Sequence, residues 1–366
     1  MLSKAIGTVT AIGPVRDSAI EMEVDVEGSK ARAIAYPCLT GPVAEGDRVL
    51  LNTTAVNLSL GTGGCHFVIA NLSREPGEEP SEPGHIMKLR YTPLQRSVLS
   101  VEEEDSAHRD AIERFTSLDG LPVIVGQLHS QIAPAAAAVK RLSHPSPGSG
   151  PVRVAYCMTE GAALPIGFSR LVEELKNAGL IDVTITAGQA FGGDLEAVNV
   201  YTGLIAAKEV AQADAVIVCQ GPGNVGTGTT FGYSGIEQGE IINAVNILGG
   251  RAIAVPRVSF ADPRPRHRGI SHHTITALTK IALTPAIVAL PVIEEMKLNL
   301  LEEQLARSGA TLKHKVRVLD GSPAIDELRA KGVSMNTMGR GYEDDPEFFL
   351  AAAAAGAAAA QFVTTR

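Results

Sequence analysis

Ala215-Val216-Ile217-Val218-Cys219-Gln220-Gly221-Pro222-Gly223-Asn224-Val225-Gly226-Thr227-Gly228 runs from an unbroken apolar stretch straight into a glycine-rich loop. A strand apolar on both faces is expected where helices cover both sides of a parallel sheet. The pattern recurs on either side of it. Strand-like runs at 121–126, 152–157, 182–187, 214–219, 251–255, 286–290 and 314–319 alternate with amphipathic stretches near 134–142, 166–178, 194–211, 235–248, 271–283, 294–308 and 323–331. These seven β–α repeats predict a Rossmann-like, doubly wound, mainly parallel α/β sheet. They fall one short of the eight that close a TIM barrel.

Upstream the period changes. Ile20-Glu21-Met22-Glu23-Val24-Asp25-Val26 alternates apolar with acidic, the mark of a half-buried strand. Glu27-Gly28-Ser29-Lys30 is turn chemistry, and Ala31-Arg32-Ala33-Ile34-Ala35-Tyr36 is its hairpin partner. Further strands are expected at 6–12, 48–52 and 66–70, the last after a turn at Thr62-Gly63-Gly64. Short strands at this spacing predict a small closed β-barrel of the OB or SH3-like kind over residues 1–85. Pro76, Pro80 and Pro83 mark an exposed connector. Residues 86–120 join the barrel to the α/β domain at 121–366, with a short helix around 105–116.

Composition narrows the partners. The chain has no Trp, 4% aromatic residues and a net charge of −8, which argues against a nucleic-acid polyanion. Residues 1–120 carry 11 Lys and Arg against 18 Asp and Glu, so the acidity lies in the first third. The start lacks the apolar stretch of a signal peptide and no run is long and apolar enough to span a bilayer, so a cytoplasmic protein with no membrane partner is expected. Cys38, Cys65, Cys157 and Cys219 show no C-x-x-C spacing and read as buried thiols in a reducing cytosol. Cys219 is the better of them as a reactive thiol, because it leads into the glycine loop. The alanine-rich helix after Glu347 is expected to be buried, either against the α/β domain or in a homo-oligomer contact.

In open α/β sheets ligands bind outside the carboxyl ends of the strands. There the long polar loops gather. The glycine loop offers Gly221, Gly223, Asn224, Gly226, Thr227, Gly228, Thr229 and Thr230, a set whose backbone N–H groups can converge on a phosphate. Nine residues separate Gly226 from the expected helix start at Gly235, and the next strand ends on Arg257 rather than an acid. This departs from the dinucleotide fingerprint and argues against ordinary NAD binding, leaving a nucleotide-type ligand open. The next loop holds Arg264, Arg266, His267 and Arg268, the densest positive cluster in the chain, suited to a small anion. Ser271 reads as a helix N-cap, with His272 and His273 in the first turn, where the helix dipole favours neutral imidazole. His272, His129 and Glu160 are the candidate catalytic groups. No H-x-x-x-H or H-E-x-x-H spacing is present and neighbouring histidines on a helix diverge, so no metal is expected. G-x-S-x-G and Walker motifs are absent. The reading is an enzyme acting on or using a phosphorylated or nucleotide-like small molecule. The alternative is a non-catalytic protein that senses such a ligand.

Gly221 to Gly232 together with Arg266-His267-Arg268-Gly269-Ile270-Ser271-His272-His273-Thr274 resembles an uncharacterised bacterial family, mainly Gram-positive, known as a conserved domain of unknown function. Both long loops match in order and spacing, and the resemblance extends over nearly the whole chain. It implies a cytosolic bacterial protein. It transfers no activity, cofactor or catalytic residue.

Overall fold

In the computed structural model, which describes residues 2–16, 18–61, 64–75, 84–144 and 150–363, the chain divides into two units. Unit one comprises Met1–Leu99 and Pro165–Arg170, and unit two the remainder.

Unit one is built on five strands, β1 (Lys4–Arg16), β2 (Ala19–Val26), β3 (Ser29–Ala35), β4 (Arg48–Asn52) and β5 (Cys65–Asn71). They close into a barrel in the order β1-β2-β3-β5-β4, with β3 and β5 parallel and the other pairs antiparallel. This is the small Greek-key barrel expected from the alternating pattern. Ile20, Met22 and Val24 point inward with Val9, Val49, Leu51 and Val68. Glu21, on the opposite face of β2, is tied to Arg16 and to Arg170. Those guanidiniums hold its carboxyl down at about 2, against the pull of burial. Thr62, Gly63 and the prolines at 76, 80 and 83 lie outside the described residues.

Unit two contains an eight-stranded, all-parallel sheet: β6 (Pro122–Val125), β7 (Val154–Thr159), β8 (Val183–Ala187), β9 (Leu195–Ala197), β10 (Ala215–Gln220), β11 (Arg251–Ala254), β12 (Ile287–Pro291) and β13 (Lys315–Leu319). All seven predicted strands are present. The eighth, β9, lies at the start of the stretch expected to be helical at 194–211, whose helix runs from Val200 to Glu209. The strand count therefore reaches eight, yet the sheet stays open, because β9 and β13 are edges with one neighbour each.

The order is β9-β8-β7-β10-β6-β11-β12-β13. The chain starts at β6, runs out through β7, β8 and β9, returns to insert β10 beside β6, then crosses to β11. That reversal sets the carboxyl ends of β10, β6 and β11 side by side. The glycine loop leaves one of them and the arginine–histidine loop another, so topology alone brings them together.

A short helix at Arg109–Glu113 lies inside the stretch expected at 105–116, and after it come α1 (Ile132–Leu142), α2 (Arg170–Asn177), α3 (Val200–Glu209), α4 (Glu237–Ile247), α5 (His272–Thr276), α6 (Glu295–Ser308), α7 (Ser322–Ala330) and α8 (Pro346–Ala360). The alanine-rich α8 is buried within this chain against α1 and β12. A Cβ at Gly356 would collide with the carbonyl of Ala135 in α1, so glycine permits that close helix approach. Cys65, Cys157 and Cys219 are buried, whereas Cys38 is exposed, which corrects the expectation of four buried thiols. Among the described residues no helix is long and apolar enough to cross a membrane.

Candidate functional site

The ends of the central strands are held by buried glutamines that carry no recognisable motif. Gln238 Nε2 donates to the carbonyls of Val125 (2.8 Å) and Val255 (2.9 Å), tying β6 to the end of β11. Gln131 Oε1 accepts from the N–H groups of Gln127 (2.8 Å) and Leu128 (3.1 Å). These bonds fix the loop bases, although Gln220 Oε1 and Gln238 Oε1 are buried without a partner among the described residues.

The glycine loop is organised mainly by its own side chains. Asn224 Oδ1 accepts from Gln220 Nε2 (2.9 Å), Ser234 Oγ (2.6 Å) and the Gly235 N–H (3.2 Å). Its acceptor is thus used in bracing the loop. Thr227 Oγ1 lies 2.9 Å from Thr229 Oγ1 and donates to the Gly232 carbonyl, while Thr229 Oγ1 accepts from the Gly232 N–H. Gly223, at φ +104°, needs a conformation that side chains disfavour. Gly221 sits where a Cβ would strike the Ala163 carbonyl. Thr230 and Gly228 lie at the exposed tip. A Cβ on Gly228 would lie 3.5 Å from an Arg266 terminal nitrogen, so Arg266 spans from one loop to the other.

The arginine–histidine loop splits into two parts. Arg264 is forked onto Asp262, with contacts of 2.9 and 2.7 Å, and Asp262 also receives Arg257 at 3.1 Å. Arg264 was expected to face an anion, but a carboxylate already takes its fork. Among the described residues Arg266 and Arg268 make no ion pair. Both line a cavity of about 390 Å³ with Arg307, Gln304, Ile275 and His272.

Beyond Arg266 three imidazoles cluster. His267 arrives on a 3-10 turn at Pro265–His267, and its Nδ1 lies 2.7 Å from Ser271 Oγ. Ser271 caps α5 as predicted, its Oγ accepting from the His273 N–H at 3.3 Å. The His267, His272 and His273 ring centroids are 4.2 to 5.1 Å apart. Neighbours on a helix do diverge by about 100°, but their Cα atoms are only about 3.8 Å apart, so rings turned towards a common third group still meet. The expectation of divergence fails because His267, outside the helix, supplies that group.

Tyr233 stacks flat on His273 at 3.9 Å and donates through its hydroxyl to the His273 carbonyl (2.7 Å). A Cβ on Gly226 would lie 3.3 Å from His273 Cε1 and 3.8 Å from its Nε2, so this glycine leaves room for the ring. His273 is 6% exposed and His267 2%. The Nε2 atoms of His272 and His273 are buried with no hydrogen-bond partner among the described residues. Each such orphan costs about 1–3 kcal/mol. All three rings are held neutral. Burial is the first cause, reinforced by Arg257, and it takes His267 down to about 4 and His273 to about 3. The His272 pKa is lowered by burial and by Arg266. Burial and the neighbouring positive groups lower all three.

His129 and Glu160 engage elsewhere. His129 Nδ1 faces Tyr156 Oη (3.1 Å) and the Gln220 carbonyl (3.3 Å), and burial lowers its pKa to about 4. Glu160 accepts from the Gln189 N–H. Burial pushes the Cys219 thiol well up, leaving it protonated and a poor nucleophile. One titratable group escaped sequence reasoning. Burial, with help from Glu240 and Glu160, pushes Glu237 up to about 7, while Thr159 Oγ1 donates to it. A glutamate at a helix start reads as an ordinary dipole partner, so no sequence signal marked it.

The fold and the loops define a Rossmann-like α/β protein preceded by a small β-barrel, with a histidine- and arginine-lined recess at the carboxyl edge of the sheet. The chain belongs to the family described as protein of unknown function (DUF3866), which matches residues 32–356. No curated protein matches it.

Proposed function

We propose that this protein is an enzyme that binds a phosphorylated or nucleotide-like small molecule at the carboxyl edge of its parallel sheet. The observation that carries the reading is the open depression of about 390 Å³ lined by Arg266, Arg268 and His272, the two arginines making no ion pair among the described residues. A guanidinium fork matches phosphate oxygens, and a neutral imidazole beside it accepts or delivers a proton near neutral pH. Arg266, reaching towards Gly228, extends the positive surface to the glycine loop. Arg264 contributes by fixing the loop through Asp262 rather than by touching the ligand.

A thermal-shift screen with nucleotides, coenzyme A and sugar phosphates tests this. A ligand at 100 times its Kd adds about 2.7 kcal/mol. Arg266→Ala should abolish the shift. His272→Ala should keep binding and lose turnover; retained turnover would favour a sensor. No shift from any compound of the panel would overturn the anion reading.

A further inference from the structure

Each of His267, His272 and His273 offers one ring nitrogen, and the three nitrogens lie within 4.8 Å of one another. In a tetrahedral site with metal–nitrogen bonds of about 2.0–2.1 Å, donor atoms sit roughly 3.4 Å apart. Small side-chain rotations cover the difference. Hydrogen bonding within the chain does not explain the cluster. Two of the rings leave Nε2 buried and without a partner among the described residues, and both belong to the same cluster. Buried polar atoms are rarely left unpaired unless an ion, water or substrate completes them.

We propose that His267, His272 and His273 form a binding site for a divalent transition-metal ion. The donor set decides the class. Three imidazoles and no carboxylate suit zinc and its neighbours, such as cobalt, nickel or ferrous iron, and do not suit magnesium or calcium, which take oxygen ligands. Ser271 Oγ stands 2.7 Å from His267 Nδ1; when it accepts the Nδ1 proton it acts as the outer hydrogen bond of a ligating histidine and Nε2 is left for the ion. Tyr233 clamps the His273 ring from its face. Gly226 keeps side-chain bulk away from Nε2. Three protein ligands leave a fourth position for water or substrate, the arrangement of a catalytic rather than a structural site.

The proposal shares His272 with the anion reading, but its probe is the metal alone, so the two can fail separately. Full-length protein, stripped with a chelator and dialysed, is titrated with Co²⁺ and then Zn²⁺. The expected result is one equivalent of Co²⁺ with the visible ligand-field bands of a four- or five-coordinate ion, displaced by one equivalent of Zn²⁺. His273→Ala and His272→Gln should each weaken binding by more than the roughly 10–100-fold that loss of an outer-shell partner costs. His108→Ala, which removes a histidine outside the cluster, should bind as wild type. Arg266→Ala should keep metal uptake even where it loses the anion. Circular dichroism of the metal-free variants checks folding, and His272→Gln, at a half-buried position, serves if His273→Ala does not fold. Folded wild-type protein that takes up neither ion, or binding unchanged in both histidine variants, overturns the proposal.

Discussion

The loop from Pro256 to Ser271 treats its two halves in opposite ways. In the first half every strong charge is answered. Arg257 and Asp262 are each 4% exposed and pair at 3.1 Å, Arg264 adds a fork, and Arg340 joins Asp262 to Asp345. In the second half, continued into the first turn of α5, three imidazoles gather near Arg266 and Arg268, which make no ion pair among the described residues, and two ring nitrogens are orphaned. The first arrangement holds a backbone in place. The second leaves two buried ring nitrogens unpaired, the feature on which the proposed metal site rests. Density of charge in the sequence does not distinguish them, but whether each charge meets an opposite one does.

Breaking the first half should give the largest effect. Asp262→Asn leaves Arg257 buried without a full counter-charge, and removing one partner of a buried pair costs about 3–5 kcal/mol. Chemical denaturation at neutral pH reads this directly. The pH dependence follows from the sign of the shift. Hydrogen bonds from Arg264, and the charges of Arg264 and Arg257, hold the Asp262 carboxyl far below its usual range. Its stabilisation is therefore present above its unfolded value near pH 4 and is lost as pH falls towards the folded value. The asparagine variant should lack that component of the acid loss. A wild-type-like denaturation midpoint in Asp262→Asn would mean that this half of the loop is not the anchor.

A second change sharpens the contrast at a group that has a hydrogen bond from Thr159 but no counter-charge among the described residues. Glu237 relieves its burial by holding a proton up to about pH 7. Its folded pKa is raised, so folding gains from it below the unfolded value near 4.3 and loses that gain as pH rises through about 7. Glu237→Gln mimics the protonated form. It should match wild type at pH 4 and exceed it by up to about 3 kcal/mol at pH 8. Equal stability at both pH values would show that the carboxyl is ionised and solvated in the folded state.

How far the sequence reveals this depends on how local each interaction is. The strands β6, β7, β8 and β10 to β13 are readable because apolar runs between polar loops are a property of the chain itself. Leu195–Ala197 is not, since three residues leading into a helix carry no period of their own. The insertion of β10 between β7 and β6 has no sequence signature, yet it makes the two long loops neighbours. Within those loops the residue types were visible but their partners were not. Asn224 looks like a ligand-binding side chain until Gln220, Ser234 and Gly235 are seen to use its oxygen. Arg264 looks like an anion clamp although Asp262, two residues back, takes its fork. His267 lies five residues before His272, outside any ligand spacing on one helix, and only the 3-10 turn folds it back.

The smallest expected change tests whether the second half is organised for a ligand. Ser271 Oγ has two duties, capping α5 through the His273 N–H and facing His267 Nδ1. Ser271→Ala should cost about 1 kcal/mol from the cap alone. If the cap were its whole purpose, Ser271→Asp, which also caps a helix, would restore full stability and nothing else would change. If His267 is being oriented for an ion, Ser271→Ala should also weaken Zn²⁺ binding about 10–100-fold, the cost of losing an outer-shell partner. Denaturation midpoints and Zn²⁺ affinities measured on the same variants separate the two duties. A stability loss with unchanged Zn²⁺ affinity would reduce Ser271 to a cap and leave His267 free to rotate. A fall in both would make the hydroxyl the link between the backbone of α5 and the ring that starts the cluster.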